Sequence, residues 1–252
     1  MKKLLFILAV TGSISCFAQE KEVRDAMEKK YGEPGMEKMN EWLAGMSGKV
    51  EPEYNFPMSV DMTMVNYRKK EPQKPMQMTI YVNNDKGLFG TKMNDDKGKN
   101  QMIMVVDQEN NNIVMLNEKE KTAMAINTKT FMATNNYSHT TKEKAGSVDC
   151  KKTGKTKTIE GYNCEEYVCT NSERNGRYEI YVTDKVKFDF TNNDGRNNPF
   201  ADYFKQAAGL GGMMMEGKFY EKDELQATVI VNNVNTAANY TISTTGYKTG
   251  LH

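Results

Sequence analysis

Histidine is almost missing from this 252-residue chain: His139 sits in a polar stretch and His252 is the last residue. Zinc and iron sites commonly use imidazole, and an activated serine or cysteine needs a base beside it, so the scarcity argues against both chemistries. There is no G-x-S-x-G elbow, no P-loop and no G-x-G-x-x-G after a strand pattern. The acidic pairs Asp95-Asp96, Glu165-Glu166 and Glu221/Asp223 fall in turns or on strand exteriors and read as solvated surface rather than a glycosidase pair. Asn192-Asn193-Asp194-Gly195 is rich in oxygen donors but lacks the spacing of an EF-hand. No charge sign dominates, with 34 Lys+Arg against 33 Asp+Glu, so the basic stripe that a nucleic-acid partner requires is not there. No apolar run reaches the roughly 18–20 residues of a membrane-spanning helix. The chain is therefore expected to be non-enzymatic, with no catalytic residue, metal site, cofactor, nucleic-acid partner or transmembrane segment.

The longest unbroken apolar run is short and comes first. Lys2 and Lys3 precede Leu4–Val10, Thr11–Ser15 is small and polar, and Cys16-Phe17-Ala18 places small residues three and one positions before a cut. This is the three-part pattern of a signal peptide, so residues 1–18 are expected to be removed and the exported chain to start at Gln19. Lipid anchoring through Cys16 is the less favoured alternative, because the position three before it is Ser13 and not an aliphatic residue. Cleavage leaves 34 − 2 = 32 basic and 33 acidic side chains, a net charge of −1.

It also leaves Cys150, Cys164 and Cys169, an odd number in a compartment that permits disulfides. If the chain turns at Glu160-Gly161, antiparallel register brings Cys150 beside Cys169. Cys164 lies five residues from Cys169 and points to the other face of the same strand. A Cys150–Cys169 bridge is the expected pairing, with three separate thiols as the alternative.

Glu20–Lys30 and Gly35–Met46 carry helical spacing, with Val23, Met27 and Tyr31 and then Met36, Met39, Leu43 and Met46 on one side. From Tyr54 the period changes to two and stays there, through close Asn/Asp/Gly turns, in hairpin-like succession. Residues 133–148 and 192–198 read as polar loops, and Pro199 opens a helix to about Ala208. No repeat or low-complexity tract is evident. The expected organisation is a signal peptide at 1–18, a helical segment at 19–48, and a single antiparallel β domain at 49–252 with a helix near 199–208. In fold class this is mainly β with helices, α+β: a curved antiparallel sheet or unclosed β-barrel of about 11–12 strands under a helical lid.

What the chain has in abundance is methionine, 19 residues of it. Met62/Met64, Met76/Met78, Met102/Met104 and Met213/Met215 are spaced by two, so each pair presents two thioethers on one face of a strand. The first three pairs, with Met58 and Ile80, make a candidate ligand-binding face: Met58, Met62, Met64, Met76, Met78, Ile80, Met102 and Met104. Methionine fills cores, but it also lines adaptable apolar surfaces. Three readings stay open: core packing, a concave face for a lipid or acyl chain, and a Cu(I)-thioether module centred on Met213–Met215. A structural envelope protein without a small-molecule ligand is the remaining possibility.

The run from Lys152 to Tyr167, which holds Gly154, Glu160-Gly161-Tyr162 and Cys164-Glu165-Glu166, resembles the signature of an exported bacterial family called domain of unknown function 4412. The closing Thr244-Thr245-Gly246-Tyr247-Lys248 resembles the end of that domain. The family is similar in style to periplasmic lipoprotein carriers and receptors, whose unclosed barrel holds acyl chains. The resemblance implies a periplasmic location and a lipid, acyl chain or lipoprotein as partner. It implies no catalytic residue. Methionine stands here where the carriers use leucine and aromatic side chains.

Overall fold

Almost every segment with period-two alternation becomes a strand. The computed structural model describes residues 47–94, 101–130, 148–171, 175–187, 210 and 212–249. Of these residues, 70% lie in strands and 2% in helix. The fold is all-β, which corrects the expectation of an α+β fold with a helical lid. Among the described residues, helical geometry is confined to a short turn at 128–130, because from residue 53 onward side chains alternate in and out. The segments read as helices at 20–30, 35–46 and 199–208 lie outside the described residues. At the end of the expected helical segment, Ser47 forms an isolated bridge with Ile126, and the Gly48 amide donates to the Ala125 carbonyl at 2.8 Å.

The strands are β1 (Glu53–Phe56), β2 (Met58–Arg68), β3 (Glu71–Pro72), β4 (Met76–Asn83), β5 (Leu88–Asn94), β6 (Gln101–Asp107), β7 (Asn112–Asn117) and β8 (Thr122–Asn127), followed by β9 (Val148–Ile159), β10 (Tyr162–Asn171), β11 (Gly176–Thr183), β12 (Met213–Glu221), β13 (Glu224–Asn235), β14 (Tyr240–Ser243) and β15 (Lys248–Thr249). They form an open sheet of 13 strands ordered β15-β8-β7-β6-β5-β4-β2-β13-β12-β11-β10-β9, with β3 beside β2, and a two-stranded ribbon of β1 and β14. Among the described residues only the β15–β8 pair is parallel. Two meanders, β4–β8 and β9–β13, are joined at β2, which pairs with β4 on one side and β13 on the other. The run 54–64, one strand by alternation, breaks at Pro57, since proline has no amide to give a ladder. Before the break the chain pairs with β14, and after it with β4 and β13.

Three hairpins of the first meander share one turn chemistry. The last residue of β4, β6 and β7 is Asn83, Asp107 or Asn117, and its side-chain oxygen accepts the amide of Lys86, Asn110 or Glu120 three residues on. Four positions after the acceptor the backbone turns left-handed, at Gly87 (φ 58), Asn111 (φ 55) and Lys121 (φ 51). Such side-chain turns followed by a left-handed residue match the twist of the strands they connect. Tighter two-residue turns use Glu160-Gly161, Lys69-Lys70 and Lys222-Asp223, all at positive φ.

The sheet carries two cores. On one face of the first meander, the β1–β14 ribbon lays Tyr54, Phe56 and Ile242 over Tyr81, Ile103, Val105, Val114, Leu116, Ala123 and Ala125. Tyr81 stacks on Tyr240 with ring centroids 4.2 Å apart. Gly90 makes room for this layer, since a Cβ there would meet Phe56 Cζ and Tyr81 Cβ at 3.2 Å. The Tyr54 hydroxyl accepts the Glu51 amide at 2.9 Å, and burial pushes its pKa up to about 12. The second core runs along the other face, from Met58, Val60 and Met62 across β13 to Phe219, Ile180, Tyr167 and Cys169.

Candidate functional site

Every methionine of β2 and β4–β8 lies on the same face, the one opposite the ribbon. Cross-strand register sets them in rows. Met62 pairs with Met78, Met78 with Met93, and Met93 with Met102, one thioether on each of four neighbouring strands. Met104 pairs with Met115 and Met115 with Met124, while Met64 faces Met76. Partners directly opposite in an antiparallel pair have Cβ atoms about 5 Å apart, so each row is a continuous strip of sulfur and methylene.

The expected site residues all fall on this face, at two depths. Met58, Met62, Ile80 and Met102 are buried, whereas Met64, Met76, Met78 and Met104 are half-buried. Met93, Met115 and Met124 belong to the same rows, and the spacing-by-two criterion passed over them because each is a single methionine in its strand. Their signal was parity within the strand combined with hairpin register. Met213, Met214 and Met215 are a different case: at 1%, 3% and 0% exposure they are closed inside the core, so the run offered as the copper centre has no open side.

Among the described residues the methionine face of β4–β8 carries no charge. On β4–β8 the positions in register with the methionines are apolar except for Thr91, Asn117 and Thr122. Thr91 sits between Ile80 and Met104 and is 2% exposed. Its hydroxyl has no hydrogen-bond partner among the described residues, and the same is true of the Thr122 hydroxyl and of Asn66 Oδ1 on β2. An unpaired hydroxyl in an apolar layer costs roughly 1–3 kcal/mol.

On the second meander the polar side of the sheet is a lattice of paired charges. Lys157, Glu166, Glu179, Tyr181, Glu216 and Lys218 line a depression of about 250 Å³. Lys157 pairs with Glu216, and Arg177 with Glu179. The Lys157 ammonium lies 5.6 Å from the Tyr181 ring centre, and the Arg177 guanidinium 4.2 Å from that of Tyr220. Glu166 accepts the Thr153 hydroxyl at 2.6 Å and meets Lys155 at 3.2 Å. The Thr153 bond holds its carboxyl below the usual range, against the effect of burial, with Lys155 and Tyr181 helping. Burial, then Glu166, pushes the Tyr181 phenol up. Through Thr153 and Lys155 the Glu166 carboxylate ties β10 to β9 on the polar side of the sheet.

Cys150 and Cys169, cross-strand partners on β9 and β10, form a disulfide with Cα atoms 4.0 Å apart. Cys164 is a buried free thiol that donates to the Tyr162 carbonyl at 3.3 Å. Burial pushes its pKa up, the reverse of what a nucleophile needs. Among the described residues no group of three His, Cys, Asp or Glu side chains is placed to hold a metal ion, and no helix is long and apolar enough to cross a membrane.

Residues 58–212 match the model of the family described as Domain of unknown function (DUF4412). The chain belongs to that family. The match takes in the whole methionine face but stops before β12, although β12 and β13 complete the sheet around β2 in this DUF4412 protein. No curated protein matches the chain. Among solved structures, PNGF-II in a C2 crystal form is similar at 14% identity and a TM-score of 0.35, over 76% of this chain and 30% of that one. An uncharacterized conserved protein from Thermus thermophilus is similar at 10% identity and a TM-score of 0.40, over 86% of each chain. The chain thus spans 30% of the length of the PNGF-II chain it matches, and neither likeness is strong enough to bear on function.

Proposed function

We propose that this DUF4412 protein is an exported, non-enzymatic binder that takes an apolar or amphiphilic ligand, a lipid or acyl chain, on its methionine face. The observation that carries the reading is a difference between the two faces of one meander. The face under the ribbon is filled with aromatic, branched and small side chains that lock together. The opposite face is laid with unbranched thioethers, several of them half-buried. Close-packed shapes specify one arrangement, whereas methionine re-packs around a guest. Each methylene moved from water into such a surface contributes about 0.8 kcal/mol. The signal-like start, and the similarity in style of the exported family that the 152–167 run resembles to lipoprotein carriers, support a periplasmic setting and a lipid-derived ligand. The Cu(I) reading loses ground because Met213–Met215 are closed in the core.

A fluorescent acyl probe should brighten saturably on titration with purified protein, and Met78→Asp should remove the signal while leaving the far-UV spectrum unchanged. A wild-type protein that leaves the probe dark, with a partner recovered only by crosslinking, would instead indicate a structural envelope protein.

A further inference from the structure

The methionine face holds one feature that a purely hydrocarbon ligand leaves unexplained. Thr91 adjoins the end of the Met104–Met115–Met124 row, between Ile80 and Met104 in register and between Phe89 and Met93 along its strand. It is 2% exposed, and its hydroxyl finds no hydrogen-bond partner among the described residues. Valine has almost the same shape, suits a strand equally well and would avoid the cost of an orphaned hydroxyl. Two of its four neighbours, Met93 and Met104, are flexible thioethers, and Met104 is half-buried, so a guest that displaces them reaches the hydroxyl. No charged residue shares the face on β4–β8, and an ion brought there would lose its hydration without gaining a counter-charge.

We infer that the ligand of the methionine face is a neutral amphiphile whose uncharged polar group, an alcohol, ester or amide, is hydrogen-bonded by Thr91 within the methionine rows. The inference rests on the face being a binding face. Thr122, whose hydroxyl is also unpaired, lies on the row that contains Met102 and Asn117 and offers a second contact for a polar group nearer the β8 edge. The hydroxyl of Thr91 serves as donor or acceptor, so it selects for polarity without charge and not for one functional group.

The test is displacement of a fluorescent acyl probe by three competitors of equal chain length, an alkane, a primary alcohol and a carboxylate, in wild type, Thr91→Val and Thr91→Ser. The alcohol should displace the probe about tenfold more tightly than the alkane in wild type, the worth of one buried hydrogen bond. Thr91→Val should erase that preference, Thr91→Ser should keep it, and the carboxylate should bind no better than the alkane. The ligand-free melting temperature of Thr91→Val should stay level or rise. Equal alcohol and alkane affinities in wild type and Thr91→Val, or a carboxylate that binds tightest, would overturn this inference and leave the binding face standing. A lower melting temperature for ligand-free Thr91→Val would also overturn it, by giving the hydroxyl a partner within the chain. A probe that never binds wild type would remove the binding face and this inference together.

Discussion

The two meanders on either side of β2 use the same alternation to opposite ends. In β9–β13 the apolar face is sealed: Met213–Met215, Phe219, Ile180 and Cys169 are all buried, a disulfide ties β9 to β10, and the polar face is pinned by ion pairs. In β4–β8 the side under the ribbon is sealed in the same way, but the other side is uncharged, rich in methionine and only partly covered. Methionine content therefore distinguishes nothing by itself. Depth and register do.

The largest expected effect contrasts two methionines on that face. Met62, 1% exposed at the seam of the sheet, cannot accept a carboxylate, and Met62→Asp should cost about 3–5 kcal/mol or prevent folding. Met104 is half-buried, and Met104→Asp should cost less than about 2 kcal/mol. Denaturant titration separates the two. Equal costs would place both residues in one closed core and erase the contrast.

Next in size is the bridge. Replacing Cys150 and Cys169 with serine opens a link between positions 19 apart and should cost about 2–4 kcal/mol. Native-state hydrogen exchange should show the lost protection in β9 and β10 while β6–β8 keep theirs. Uniform loss across both meanders would mean that they unfold as a single unit.

The smallest effect is electrostatic. Because Thr153 holds the folded Glu166 carboxyl below its usual range, its contribution is complete above the ordinary carboxylate pKa, about 4.3. That contribution disappears as pH falls through the lowered folded value. Glu166→Gln should therefore flatten the acid limb of the stability profile by about 1 kcal/mol and leave neutral-pH behaviour of the methionine face untouched. An unchanged acid limb would show that Glu166 gains nothing from Thr153.

Much of this was legible in the residues. Parity within strands identified the face of Met58, Met62, Met76 and Met78, and the Glu160-Gly161 turn brought Cys150 near Cys169; the exact pairing was not legible, because it depends on the register shift between Glu165 and Tyr167. Pairings between distant segments were not legible: β2 joins β13 with no local signal linking residues 58–68 to 224–235. The common turn of the first meander escaped notice because its left-handed position is filled by Gly87, Asn111 or Lys121, three residues that share a conformation but not a chemistry. That register is what recruits Met93, Met115, Met124 and Thr91 to the site. The α+β expectation drew its weight from helical spacing in segments outside the described residues, whereas the described ones form an all-β fold.

The central claim is that the methionine face of β4–β8 receives an apolar guest while the sealed meander does not. Methionine methyl groups report on this directly by NMR of protein labelled with carbon-13 at the methionine ε-methyl, before and after addition of a long-chain alcohol. The methyl signals of Met64, Met76, Met78, Met104, Met115 and Met124 should shift saturably, and those of Met213, Met214 and Met215 should stay in place. Shifts confined to Met213–Met215, or no shift at any methionine, would contradict the account.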